Sequence, residues 1–140
     1  MGILDGNPKN EPLHYGEIMN LWIASMTGKG MISSLEAYRN HAGDHDLIKL
    51  LGELLEQARQ EVQECDKILT ENGFAPPPAL PERPKVEVED IPTGARFSDQ
   101  EIGAMIAISN SAGLTACSAV MGSAIREDIA AMFAKFHAQK

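Results

Sequence analysis

A chain of 140 residues, 44% hydrophobic and 23% charged, is the size of one domain and long enough to bury roughly two thirds of its unfolded surface. Twelve basic against twenty acidic residues give a formal net charge of −8 with no Lys/Arg block, which argues against a phosphate-neutralising face for nucleic acid. The start, MGILDGNPKNEPLHYGE, has neither a basic n-region nor an apolar h-region, so a cytoplasmic protein is expected, with Cys65 and Cys117 as free core thiols.

Apolar residues recurring at three and four (Leu13, Ile18, Leu21, Trp22, Ile32, Leu35) predict a first helix over about 11–41. Pro12 suits its first turn, and Gly28 and Gly30 in its middle suggest a bend or a close helix contact. His41-Ala42-Gly43-Asp44 reads as a tight turn, with Gly43 as a left-handed C-cap and Asp44 as the next N-cap. The HxxD spacing from His41 to Asp44 looks ligand-like, but capping explains it more cheaply. A second helix over about 44–72 carries the stripe Leu47, Leu51, Leu54, Ala58, Val62, Cys65 and Leu69, and Asn72-Gly73 before three prolines stops it.

The segment 74–97, FAPPPALPERPKVEVEDIPTGARF, is far longer than the links between antiparallel neighbours in a bundle. At about 3 Å per residue it reaches about 70 Å, whereas a helix of about 30 residues spans about 45 Å. It is therefore expected to cross the full length of the bundle, so that the third helix runs parallel to the second. Ser98-Asp99-Gln100-Glu101 forms a capping box, with Phe97 placed to staple onto Ile102.

A third helix is predicted over about 98–137. From Ile102 to Ile125 it carries 24 consecutive uncharged residues, apolar or small around the whole circumference. Such a helix wants cover on every side. Six Ser, Thr and Asn side chains within the run argue against a membrane span. With no room for a fourth helix after Lys140, the cover is expected from a symmetry-related subunit: a homo-oligomer joined through the third helix, with Met105, Ile108 and Gly122 at or near the contact.

His14 lies in the apolar stripe of the first helix with Glu17 one turn along, Glu61 lies in that of the second, and Asp128 lies on the third. His and Glu at i, i+3 can ligate one ion, and buried carboxylates demand a proton, a partner or a cation. The candidate metal set is therefore His14, Glu17, Glu61 and Asp128. The competing structural account has His14 hydrogen-bonded at a helix start, Glu17 as a favourable dipole charge, and Asp128 paired with Arg126 or a lysine. No nucleophile elbow, P-loop, dinucleotide fingerprint or HExxH occurs, so no enzyme class and no cofactor is indicated.

LHYGEI at 13–18, NHAGDHDL at 40–47, PPPALPERP in the crossover, IPTGARFSDQEI at 91–102 and SAIREDIAAMFAKFH at 123–137 together resemble an uncharacterised ferritin-like family of spore-forming bacilli, related to spore coat proteins. The resemblance covers nearly the whole chain. It implies an all-α, ferritin-like up-down bundle with a long crossover, and spore association. It also implies a fourth helix, expected here to be missing or supplied by a partner. Di-iron proteins of ferritin-like type use an ExxH motif on each of two helices, and this sequence has a single one, Glu11-Pro12-Leu13-His14 at the start of the first helix, so the expectation is a non-enzymatic assembly protein. The alternative is a divalent ion near His14 and Glu17.

Overall fold

The computed structural model describes residues 11–140, which form four helices and no strand. Residues 1–10, on which the reading of the chain's start rests, lie outside the described residues. Helix α1 spans Tyr15–His41, α2 His45–Glu71, α3 Asp99–Ser123 and α4 Glu127–Gln139. Two 3-10 turns, Val88–Asp90 and Thr93–Ala95, punctuate the crossover.

Most boundaries follow from local chemistry. Asp44 caps α2 by accepting the Leu47 N–H at 2.9 Å, and Ser98 and Glu101 form the expected reciprocal box at the start of α3. At the end of α2, Gly73 is left-handed (φ 83°), and the Phe74 N–H donates to Leu69 while the Gly73 N–H donates to Thr70. This is a Schellman closure, and it needs glycine at that position. Gly43, by contrast, is not left-handed. Its N–H and that of Asp44 donate to the Asp99 carboxylate at 3.0 and 3.1 Å, tying the α1–α2 turn to the start of α3. Phe97 finds its ring partners on α1, at 4.9 Å from His41 and 6.0 Å from Tyr38 between centroids.

The topology comes from two apolar cores. Ile102, at the start of α3, packs with Leu35, Ala42, Leu51 and Leu55 around the α1–α2 turn. Cys117 and Val120, near its end, join Leu21, Cys65 and Leu69 at the opposite end. Helix α3 therefore runs parallel to α2 and antiparallel to α1. The crossover lies along α1 as a strap. Lys29 donates to the Pro77 carbonyl, the Arg83 N–H donates to Glu36 at 2.8 Å, and Asn40 exchanges bonds with Val86 and Pro84. Gly28 is the close helix contact: a Cβ there would stand 2.5 Å from Val62 Cγ2.

Three expectations need correction. The third helix does not continue to residue 137. It stops at Ser123, the chain turns through extended residues at Ala124 and Arg126, and α4 folds back along α3 until the Asn110 amide donates to the Lys140 carbonyl at 3.1 Å. The described residues thus form four helices, not three, because the third is broken in two. Ile129, Phe133 and Phe136, spaced four and three apart, bury α4 into the core around Leu21 and Leu69. Helix α1 begins at Tyr15 and not near residue 11, because His14 is its N-cap. Trp22, one of the recurring apolar residues that predict the helix, sits on the flank of its buried face and is exposed.

Candidate functional site

The sequence-predicted residues fall into two places. His14, Glu17 and Asp128 meet at the α3–α4 junction. His14 closes a capping box with Glu17: its Nδ1 accepts the Glu17 N–H at 3.1 Å, and its own N–H donates to Glu17 Oε1 at 3.1 Å. Because Nδ1 accepts, a neutral ring carries its proton on Nε2. That nitrogen is buried, 3.6 Å from Glu17 Oε1, with no hydrogen-bond partner among the described residues.

Glu17 is 1% exposed, and its other oxygen explains why it can be. Oε2 accepts the N–H groups of Ile125 and Arg126 at 3.0 and 2.8 Å, the two residues just before α4. A carboxylate from α1 thus fixes the turn into a helix 108 residues later in the chain, at an N-terminus where the helix dipole favours negative charge. Arg126 supplies the matching cation. Its buried guanidinium forks onto Asp128 at 3.0 and 2.7 Å and also donates to the Glu11 carbonyl and the Asn72 side chain. Asp128 is therefore engaged by arginine, as the structural account anticipates.

Glu61 is elsewhere. It accepts two bonds from the Lys140 ammonium at 3.1 Å, where α4 ends against α2. Among the described residues, no three His, Cys, Asp or Glu side chains group closely enough to hold one ion. Cys65 and Cys117 are free and buried. Burial pushes the Cys65 thiol up to about 12, with Asp66, Glu61 and Glu64 adding to the effect. Burial also raises Cys117, against the pull of Lys140. Neither thiol is poised as a nucleophile.

A second polar cluster escaped the sequence reading. Lys29, 8% exposed, pairs with Asp66 at 2.8 Å, Ser25 donates to the same carboxylate, and Glu36 pairs with Arg59 at 3.5 Å. Lys29, Glu36 and Arg59 line a cleft of about 190 Å³ under the strap, between α1 and α2. The charges in it are mutually paired, and they also hold the strap backbone. The available signal was a lysine between Gly28 and Gly30, facing an acid beside Cys65. Every carboxylate oxygen of both clusters has a partner, an N–H group, a cation or the Ser25 hydroxyl, so these side chains hold the chain in place.

The remaining feature is surface. Among the described residues, α3 is long and apolar enough to cross a membrane by length and composition, yet only 11% of its most apolar 18-residue stretch is buried within the chain. The short α4 covers one flank and leaves Ala104, Ile108, Ser111 and Thr115 facing outward.

Comparison with known proteins gives a consistent result. The family model described as protein of unknown function (DUF3231) matches residues 1–140. The uncharacterized protein YvdQ of Bacillus subtilis (strain 168) is 51% identical over 140 residues, covering all of this chain and 82% of the relative. The crystal structure of a "putative spore coat protein" (BH2358) from Bacillus halodurans C-125 superposes with a TM-score of 0.92 at 43% identity, covering 95% of this chain and 84% of that one.

Proposed function

The chain belongs to this family of unknown function, and we propose that its role is non-enzymatic: a ferritin-like helical assembly protein, spore-associated, that self-associates through α3. The observation that carries this reading is the state of α3, which bears no charge from Ile102 to its end at Ser123 and buries only Ile102, Cys117 and Val120. An exposed apolar helix in a chain of net charge −8 demands cover. The long link between α2 and α3 supports the ferritin-like reading, and the Bacillus halodurans neighbour supports the spore association. Light scattering at micromolar concentration tests the assembly: a mass of at least two 15.2 kDa chains is expected, and a monodisperse monomer would retire the reading.

A divalent ion between His14 Nε2 and Glu17 Oε1 is the second reading, favoured by that buried, unpartnered nitrogen; binding it requires the ring proton to move from Nε2 to Nδ1 and the Glu17 N–H to give up its bond to Nδ1. Elemental analysis of protein grown in iron- and zinc-rich medium should then give stoichiometric metal that is lost in His14→Ala. Metal-free wild-type protein would end it.

A further inference from the structure

The uncharged surface does not stop at α3. On α1 the only charged residues between Tyr15 and Tyr38 are Glu17, Lys29 and Glu36, and all three are buried. Helix α1 therefore presents no charge to solvent over 24 residues, the same length as the uncharged run from Ile102 to Ile125. The two helices lie side by side. The Asn20 amide donates to the Ser123 hydroxyl at 3.2 Å, Leu21 shares a core with Val120, and Leu35 shares one with Ile102. Among the described residues, seven of the twelve exposed large apolar side chains belong to this pair and its edge, five of them on α1: Tyr15, Met19, Trp22, Ile23 and Met26. The outer face of α2 is the opposite, with Asp46, Lys49, Glu53, Glu56, Arg59 and Lys67 in solvent.

We infer that the joint outer face of α1 and α3 is a two-fold interface with a second copy of this chain. The inference rests on the assembly reading above and extends it, by adding α1 as the half that carries the large anchors. Charge selects the occupant. An acidic or basic partner gains nothing from a surface without charge, whereas two chains of net −8 can approach closely only where neither presents a charge. Area agrees. Because the strap covers α1 beyond Lys29, its open stretch is Tyr15 to Thr27, about 20 Å; with about 35 Å of α3 and about 10 Å of width per helix, the face is about 550 Å² per chain, or about 1,100 Å² in all, just above the about 1,000 Å² that a specific interface needs. The Ala, Ser and Gly side chains of α3 leave room for the bulkier residues of the partner's α1, and a two-fold axis repeats that fit on both sides.

Trp22 is the single tryptophan of the chain, so the native protein reports on its own interface. Dilution should red-shift its emission and raise its quenching by acrylamide in step with a twofold fall in mass by light scattering. Met19→Glu and Ile108→Glu alter side chains 63% and 71% exposed, so the folded chain should tolerate both, and each should halve the mass at concentrations where wild type is dimeric. An oligomer that survives both substitutions, with unchanged Trp22 emission, would overturn this face and association through Ile108, and leave only self-association by another surface. If Ile108→Glu dissociates the protein and Met19→Glu does not, the contribution of α1 is overturned and association through α3 alone remains. A wild-type chain that is monomeric at every concentration overturns both readings. Should that monomer also co-float with uncharged phosphatidylcholine vesicles, the face belongs to lipid and not to a second copy.

Discussion

The junction around Arg126 and the outer face of α1 and α3 treat polarity in opposite ways. At the junction, charges lie inside the protein, each saturated: Glu17 by three backbone N–H groups, Arg126 by a carboxylate, an amide and a carbonyl. On the outer face, apolar and small side chains lie in solvent with nothing to cover them among the described residues. Burying an ion is tolerable when every lone pair and proton finds a partner, and here the partners are donors freed by a helix break. Exposed apolar surface has no such internal remedy. The contrast separates what folds the single chain from what the chain offers to another molecule.

The sharpest way to break the comparison is Glu17→Ala. It removes the acceptor for the Ile125 and Arg126 N–H groups and leaves the arginine with less compensating charge, so unfolding in urea should show a loss of about 3–5 kcal/mol. A loss below about 1 kcal/mol would mean that the junction contributes specificity and little stability.

Cys65 probes the same buried half through pH. The folded chain holds its thiol proton up to about 12, whereas the ordinary value is 9.0. Between those values the folded state binds more protons than the unfolded state, so stability is full below about pH 9 and falls as pH rises, by about 1.4 kcal/mol per unit. Urea melts from pH 8 to 11 should show this slope, and Cys65→Ala should flatten it.

Gly28→Ala tests packing beside the Lys29 cluster. Its methyl group would meet Val62 Cγ2, and a loss of about 1–3 kcal/mol is expected, partly restored by adding Val62→Ala. The smallest effect belongs to the outer face. In chains dilute enough to be dissociated, Ile108→Gln should change the unfolding free energy by less than about 0.5 kcal/mol. A larger loss would show that Ile108 serves the fold of the single chain.

What was legible in the sequence was what local chemistry decides. Ser98 with Glu101, Asp44 before α2, Asn72-Gly73 before the prolines, and the reach of residues 74–97 each carry their own physical reason, and each has its counterpart in the structure. The break at 124–126 was not legible, because no proline or glycine stands there. What marks it in the structure is a side chain from α1: Glu17 accepts the Ile125 and Arg126 N–H groups that a continuing helix would bond to Met121 and Gly122. Gly122-Ser123, followed by Glu127 and Asp128 at a helix start, was the faint local sign. His14 was singled out for the right neighbours: Glu17 and the Asp128 end of the bundle do lie beside it. Its Nδ1 nevertheless caps α1, and Glu61 is drawn away by Lys140, a contact that the fold-back of α4 creates. Trp22 was misassigned because a stripe at three and four does not separate its centre from its edge.

The strap has a consequence in time as well as space. Helices α1 and α2 are neighbours in sequence, so their pairing closes only a short turn, while α3 reaches its place after 24 residues have been laid along α1 and fastened at Lys29, Glu36 and Asn40. Closing that long loop is the later and entropically harder step. The hairpin of α1 and α2 should therefore form first and open last. Hydrogen exchange should find the slowest amides around Leu21, Leu51 and Leu69, and faster ones throughout α3 and α4. Equal protection across all four helices would mean that the strap and both halves lock in a single step.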